Sequence, residues 1–201
     1  MNVLLVLAQP DPKSLSAAVA DAFCKGVAAG GHTAGLANLV AEGFEPRQMQ
    51  VDLDCYHGRG PPPVDVVREQ QRVDRADALV LVFPIYWWSM PAVLKGWIDR
   101  VFIRDWAFNY VDGKVVGALR DIPVHILAVG GGDAAGYEKY GYETAFNTQV
   151  EVGIFRFCGI KRVQTHLMLD SESRSSEVRE RHLQEASRLG EMIAAHEFEL
   201  S

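Results

Sequence analysis

Three aromatic residues in succession, Tyr86, Trp87 and Trp88, stand between an apolar run over residues 78–83 and a helical pattern that opens at Pro91. Two indoles and a phenol offer wide π faces, and a turn at the carboxyl end of a strand leaves backbone N–H groups free to bond the edge of a heterocycle. The segment reads as a platform for a flat aromatic ligand. The competing reading is a core aromatic cluster, because aromatic residues serve packing more often than binding. Two further segments could join it. Gln9 to Ser16 places Lys13, Ser14 and Ser16 at a helix start, where unpaired N–H groups and the positive dipole end favour a phosphate. Ordinary capping by Ser14 explains the same residues without a ligand. Gly130, Gly131 and Gly132 let backbone donors approach a ligand edge closely and meet developing negative charge; a flexible turn is the plain alternative.

The elements that must hold these residues are legible from periodicity. Residues 3–8 form a first strand that ends at Gln9-Pro10-Asp11-Pro12, and a helix capped by Ser14 follows, with Leu15, Val19, Ala22, Phe23 and Val27 on one face. A second strand fits 32–39. Residues 42–64 read as a long loop with at most a short helix, in which Asp52 and Asp54 are solvated. A helix over 65–76 leads into the third strand, 78–83, apolar throughout and expected to be buried on both faces. Leu94, Trp97, Ile98, Val101 and Phe102 mark the inner side of the helix opened by Pro91. A fourth strand fits 122–129, a helix 144–157 and a fifth strand 162–169. A last helix begins near Ser175 or Ser176, with Leu183, Ala186, Leu189 and Ile193 as its buried stripe. Five alternations imply an α/β fold, a doubly wound five-stranded parallel sheet of order 2-1-3-4-5 with helices on both faces. In that topology the loops after strands one, three and four meet at the switch point.

Bulk properties bound the function. A chain of 201 residues, 48% hydrophobic, supports one domain spanning 1–201. Its three widely spaced cysteines fit a reducing compartment and a cytoplasmic location, with Cys158 buried and inert. The net charge of -6, and the alternation of Glu with the basic residues of the 174–188 stretch, exclude nucleic-acid binding. Residues 78–94 are apolar but for Ser89, yet fall short of the roughly 20 residues of a membrane span and contain Pro84 and Pro91. The amino-terminal run lacks a basic leader and reads as a strand, not a signal peptide. No G-x-S-x-G, P-loop or H-E-x-x-H occurs, and Cys55-Tyr56-His57 lacks the second pair a metal site needs, so no metal is expected. Gly130, Gly132 and Ala135 satisfy G-x-G-x-x-A, but after the fourth strand instead of the first, and 137–141 does not resemble the start of an apolar helix.

Phosphate site, aromatic turn and glycine edge together outline a flavin nucleotide. From Phe83-Pro84-Ile85-Tyr86-Trp87-Trp88-Ser89-Met90-Pro91 through Ala92-Val93-Leu94-Lys95-Gly96-Trp97-Ile98-Asp99-Arg100-Val101-Phe102, the chain resembles the flavodoxin-like NAD(P)H:quinone oxidoreductases. These are the DT-diaphorase-related family that includes ancillary oxidoreductases of potassium efflux systems, and the likeness covers about residues 2–170. The resemblance implies FMN or FAD, NAD(P)H as donor, a quinone-like acceptor, and a homodimer with the active site at the subunit interface. By similarity Gln9, Ser14, Leu15 and Ser16 contact the phosphates and ribityl chain, and Pro84, Ile85, Tyr86, Trp87 and Trp88 line the isoalloxazine. Gly130, Gly131 and Gly132 border its polar edge, with Gly131 and Gly132 bonding it, and Tyr137 lies near the reacting face. Phe108 and Tyr110 match aromatics that close the site from the partner chain.

The chain departs from that pattern at three places. Gln9 stands where a His is usual, Val129-Gly130 replaces a Thr-Thr pair, and Glu143 occupies the position of a proton-relaying His, leaving Tyr137, Tyr140 or water for that task. Two functions compete with a quinone-reducing dehydrogenase: a one-electron carrier of flavodoxin type, and a regulatory flavoprotein subunit with a membrane transporter as partner. Phe108 and Tyr110 favour the dehydrogenase.

Overall fold

A computed structural model describes residues 1–173 and 175–194. Arg174, at the head of the mixed-charge stretch, and residues 195–201, included in the single-domain reading, lie outside the described residues. Five parallel strands form the central sheet: β1 (Asn2–Leu7), β2 (Thr33–Asn38), β3 (Ala78–Pro84), β6 (Val124–Val129) and β7 (Val163–Met168), in the order β2-β1-β3-β6-β7. This is the expected 2-1-3-4-5 order, with a hairpin of β4 (Phe108–Val111) and β5 (Lys114–Gly117) inserted between its third and fourth members. The fold is flavodoxin-like.

The three central strands carry apolar side chains in both directions, and the sheet divides them by parity. Leu79, Leu81 and Phe83 of β3 join Leu4 and Val6 of β1 and Ile126 and Ala128 of β6 on one face. Ala78, Val80 and Val82 join Val3, Leu5, Leu7, Leu127 and Val129 on the other. The first face is covered by α3 (Val64–Asp74), α4 (Ala92–Val101), α6 (Tyr142–Asn147) and a π-helical segment (Thr148–Arg156). The second is covered by α1 (Leu15–Ala29) and α7 (Ser176–Glu191). These two helices touch backbone to backbone. A Cβ on Gly26 would lie 1.9 Å from the Ser187 carbonyl oxygen, and one on Gly190 2.2 Å from that of Phe23.

The expected helix over 144–157 is instead α6 running into π-helix. A short helix, α5 (Ala134–Tyr140), also forms where the sequence showed no apolar helix start, because it is largely exposed and buries only Tyr137. The long 42–64 loop contains one short helix, α2 (Gln50–Tyr56). Asp52 is not solvated as expected. Its side chain is 7% exposed, takes Arg100 Nε at 3.1 Å and accepts the Met49 N–H at 2.6 Å, whereas Asp54 lies at the surface paired with Arg59. Cys158 is buried, and burial pushes its thiol up to about 11, so it stays protonated and unreactive. No described helix is long and apolar enough to cross a membrane.

Candidate functional site

All five sheet strands end at the same edge. Register brings Leu7 beside Val82, Pro84 beside Val129 and Val129 beside Met168, so the loops after β1, β3, β6 and β7 emerge side by side. Sheet hydrogen bonds continue into them: Ala8 N–H donates to Val82, Ile85 N–H to Val129 and Gly130 N–H to Met168.

The aromatic turn is not a core cluster. Tyr86, Trp87 and Trp88 are 52%, 88% and 44% exposed. Tyr86 and Ser89 exchange both backbone hydrogen bonds, and Trp87 and Trp88 between them have φ of 49° and 55°. That is the primed two-residue turn for which Asn-Gly and Asp-Gly are the favoured sequences. Bulky L-residues in the left-handed region cost of order 1 kcal/mol each, a strain that clusters at ligand sites. The N–H groups of both tryptophans donate to no protein acceptor among the described residues.

Opposite the turn lies the triple glycine. Its outer N–H groups, on Gly131 and Gly132, are also free of protein acceptors among the described residues, while their loop is fixed by Ser171 N–H on the Gly130 carbonyl and Asp170 N–H on that of Gly132. Gly130 makes room for its neighbours: a Cβ there would lie 3.2 Å from the Tyr137 hydroxyl and 3.3 Å from Ile85 Cδ1. Ile85, Trp87, Trp88, Gly131, Gly132 and Tyr137 together line a pocket of about 220 Å³. Tyr137 is 6% exposed, and burial, reinforced by Tyr142, raises its pKa, so it stands in the pocket as a neutral phenol able to donate a proton.

The structure therefore brings together six of the residues singled out from sequence. The others stand nearby or apart. Pro84 is paired in the sheet, and Gly130 lies beneath the Tyr137 hydroxyl. Ser14 caps α1 through Ala17 N–H at 3.2 Å, which among the described residues leaves the Leu15 and Ser16 N–H groups as the unpaired donors of that helix end. Gln9 uses its carbonyl oxygen to hold the Asp11 N–H. Glu143 is exposed in the first turn of α6. Phe108 and Tyr110 lie on the hairpin and line none of this pocket. The G-x-G-x-x-A match is not a phosphate site, since the helix it precedes is capped by the Asp133 carboxylate, which accepts Gly136 N–H at 2.7 Å and would repel a phosphate.

Sequence reasoning missed Tyr142. Its ring stacks on Trp88 with centroids 4.6 Å apart and meets Tyr137 edge-on at 5.6 Å, joining the two walls of the pocket. The signal was present in the tyrosines at 137, 140 and 142, but nothing local indicates which of them faces the turn. Each such ring contact is worth about 0.5–1.5 kcal/mol. Tyr142→Ala is expected to lower stability by about 1–3 kcal/mol in urea denaturation, and Tyr142→Phe, which keeps both contacts, to leave it unchanged.

With this geometry in place, comparison with known proteins decides the family. A family model for the flavodoxin-like fold, Flavodoxin_2, matches residues 1–189. The chain belongs to that family. The flavodoxin-like chain is 29% identical over 197 residues to the ribosyldihydronicotinamide dehydrogenase [quinone] of Rattus norvegicus, covering 89% of this chain and 85% of the relative. It is similar to the solved NAD(P)H:quinone oxidoreductase of Methanothermobacter marburgensis at 30% identity, with a TM-score of 0.89 and 98% of each chain covered. It also shares its fold with an FMN-dependent NADH-azoreductase of Bacillus anthracis solved with FMN, at 19% identity and TM-score 0.75, covering 96% of this chain and all 100% of that one.

Proposed function

We propose that this protein is a flavin-dependent NAD(P)H dehydrogenase that reduces quinones or related electrophilic aromatics by two-electron hydride transfer. The observation that carries this reading is the convergence of exposed tryptophans and unpaired Gly131 and Gly132 N–H groups in one pocket at the carboxyl edge of the sheet. Relatives named as quinone-reducing dehydrogenases support the substrate class.

The residues fit a flavin, FMN or FAD, at both ends. The Leu15 and Ser16 N–H groups at the start of α1, with the Ser16 hydroxyl, suit its phosphate. Gly131 and Gly132 suit the polar edge of the ring system, and Ile85, Trp87 and Trp88 its faces. When bound, the flavin supplies the centre that takes hydride from the nicotinamide and passes it to the acceptor. The chain's own part is to orient and to stabilise charge. The two glycine N–H groups meet negative charge where it develops, the indoles hold the plane of the ring, and Tyr137 keeps a proton at its phenol oxygen for delivery. Glu143 is exposed on α6 and is given no part in this reading; Tyr142 is the phenol beside Tyr137.

In this reading residues 1–201 act as one cytoplasmic domain, and a second copy closes each site with its Phe108 and Tyr110. The purified protein is expected to oxidise NADH or NADPH in a quinone-dependent manner, and an anaerobic reductive titration to pass from oxidised to two-electron-reduced protein without an accumulating one-electron state. A stable one-electron state with no quinone-dependent oxidation of either nucleotide identifies an electron carrier and overturns the proposal.

A further inference from the structure

The triple-glycine pocket has a charged rim to which the proposed function gives no role. Two segments border it: residues 133–143, from the cap of α5 into α6, and residues 170–173, which follow β7. Glu172 packs on the glycine row, where a Cβ on Gly131 would lie 3.0 Å from its Cδ and 3.1 Å from its Oε1. The loop that carries it is fixed there by Asp170 N–H on the Gly132 carbonyl and Ser171 N–H on that of Gly130. Asp133 directly follows Gly132, and Glu138 and Glu143 directly follow Tyr137 and Tyr142. Among the described residues none of these five carboxylates, Asp133, Glu138, Glu143, Asp170 and Glu172, forms an ion pair, and all but Asp170 are exposed. Against them the described part of both segments sets one basic side chain, Lys139, which lies over the Tyr140 ring at 4.9 Å. The acidic residues of α7, by contrast, alternate with Arg179, Arg181 and Arg188.

An independent observation marks the pocket inside this rim as a ligand site. Tyr137 is 6% exposed and lines the pocket, and its hydroxyl has no protein partner among the described residues. A hydroxyl so buried is costly to leave unpaired, and an acceptor oxygen on a ligand would satisfy it. The rim acts at longer range than the pocket walls. Gly131 and Gly132 N–H groups meet a ring edge at hydrogen-bond distance, whereas the carboxylates bear on whatever approaches within a Debye length, about 10 Å at 0.1 M salt. Charge of one sign around a cleft raises the encounter rate of oppositely charged ligands by about 10- to 1,000-fold.

We propose that this site selects aromatic acceptors that carry positive charge, such as quinones with an ammonium substituent, over anionic acceptors of the same shape. Turnover of such acceptors rests on the dehydrogenase reading; their preferred binding does not. The reaction balances as NAD(P)H, one proton and the quinone giving NAD(P)+ and the hydroquinone, with the ammonium group unchanged. The selection acts on the acceptor alone, because the donor is common to every comparison.

The test is calorimetric titration of the purified protein, without NAD(P)H, with 2-(trimethylammoniomethyl)-1,4-naphthoquinone and with its 2-(sulfonatomethyl) counterpart, 2-methyl-1,4-naphthoquinone serving as the neutral reference. At about 10 mM salt the cation is expected to bind at least about tenfold more tightly than the anion, and the ratio to fall toward one at about 1 M salt. Replacing Glu138, Glu143 and Glu172 together by glutamine is expected to lower the low-salt ratio at least about threefold and to leave the affinity for the neutral quinone unchanged. Asp133 and Asp170 are kept, the first because it caps α5 and the second because its φ is 60°. Thermal melts confirm the fold of the variant, whose three changed residues are exposed. Equal affinity for cation and anion, a preference for the anion, or a preference that the triple variant retains in full would overturn the proposal. The kcat/KM values for the three quinones are read separately and are expected to follow the same order. A binding preference with no quinone-dependent NAD(P)H oxidation marks failure of the dehydrogenase reading alone, and oxidation of all three quinones with equal affinity and equal kcat/KM marks failure of this proposal alone.

Discussion

Gly132→Pro is expected to slow reduction of the bound flavin by NAD(P)H about 100-fold in anaerobic stopped-flow, while the protein still purifies with its flavin. Proline removes the N–H donor, and loss of one preorganised donor to developing negative charge costs roughly 10²–10³ in rate. In the proposed reading the phosphate end, at Leu15 and Ser16, and the tryptophan turn are on other loops and keep their hold. Gly132→Ala separates donor loss from bulk. Its Cβ would stand 3.1 Å from Tyr137 Cε2, a tight contact that a small ring movement relieves, and the N–H is kept. The alanine variant is therefore expected to lie within about tenfold of wild type. Proline and alanine variants with the same rate, or a proline variant at the wild-type rate, would remove Gly132 N–H from the mechanism.

Arg100→Ala carries the largest expected loss of stability. The guanidinium, 3% exposed, is bonded by Asp52 at 3.1 Å, Asp65 at 2.6 Å and the Glu45 carbonyl at 2.7 Å, and it lies over the Phe44 ring at 5.5 Å. It ties the 44–65 segment to α4, the helix that begins directly after the aromatic turn. Removing one partner of such a pair leaves buried Asp52 without its cation, at a cost of about 3–5 kcal/mol. For a chain of this size that lowers Tm by roughly 6–20 °C, measurable by calorimetry. The pH dependence changes with it. Burial alone would raise Asp65, but the hydrogen bond and charge of Arg100 outweigh it and hold the carboxyl below its usual range. A lowered carboxyl stabilises the fold above its unfolded pKa, and that contribution is lost as pH falls through the lowered folded value. The wild type is expected to lose this part of its stability in acid, and the variant to have none of it to lose.

The two structural features behind these predictions differ in how far the sequence discloses them. Glycines 130–132 stand in an unbroken row after an apolar strand, and the doubly buried strands around them read directly from runs such as Val3–Ala8 and Ala78–Phe83, whose side chains alternate between the two core clusters. The pairing of Asp52 with Arg100 spans 48 residues of sequence and has no periodic signature, so a short polar helix looks like a solvated loop until its partner is seen. The hairpin was readable and missed: Asp112-Gly113 between Tyr110-Val111 and Lys114-Val115 is the favoured two-residue turn, with φ of 51° and 74°. The tryptophan turn adopts the same geometry with the opposite residue preference. Local propensity argues against it, and only the tertiary setting, with Tyr142 stacked on Trp88, holds it. The exposure of Trp87 was likewise beyond the sequence, since an indole next to a buried strand is as readily packed as presented.

The proposed function rests on a flavin held between the tryptophan turn and the glycine row. Denaturing the purified protein, collecting the released chromophore and identifying it by mass tests this most directly. The expected result is FMN or FAD at close to one per chain, with its occupancy sharply reduced when Trp87 and Trp88 are both replaced by alanine. A protein that yields no flavin, and takes up neither FMN nor FAD when either is supplied, would contradict it.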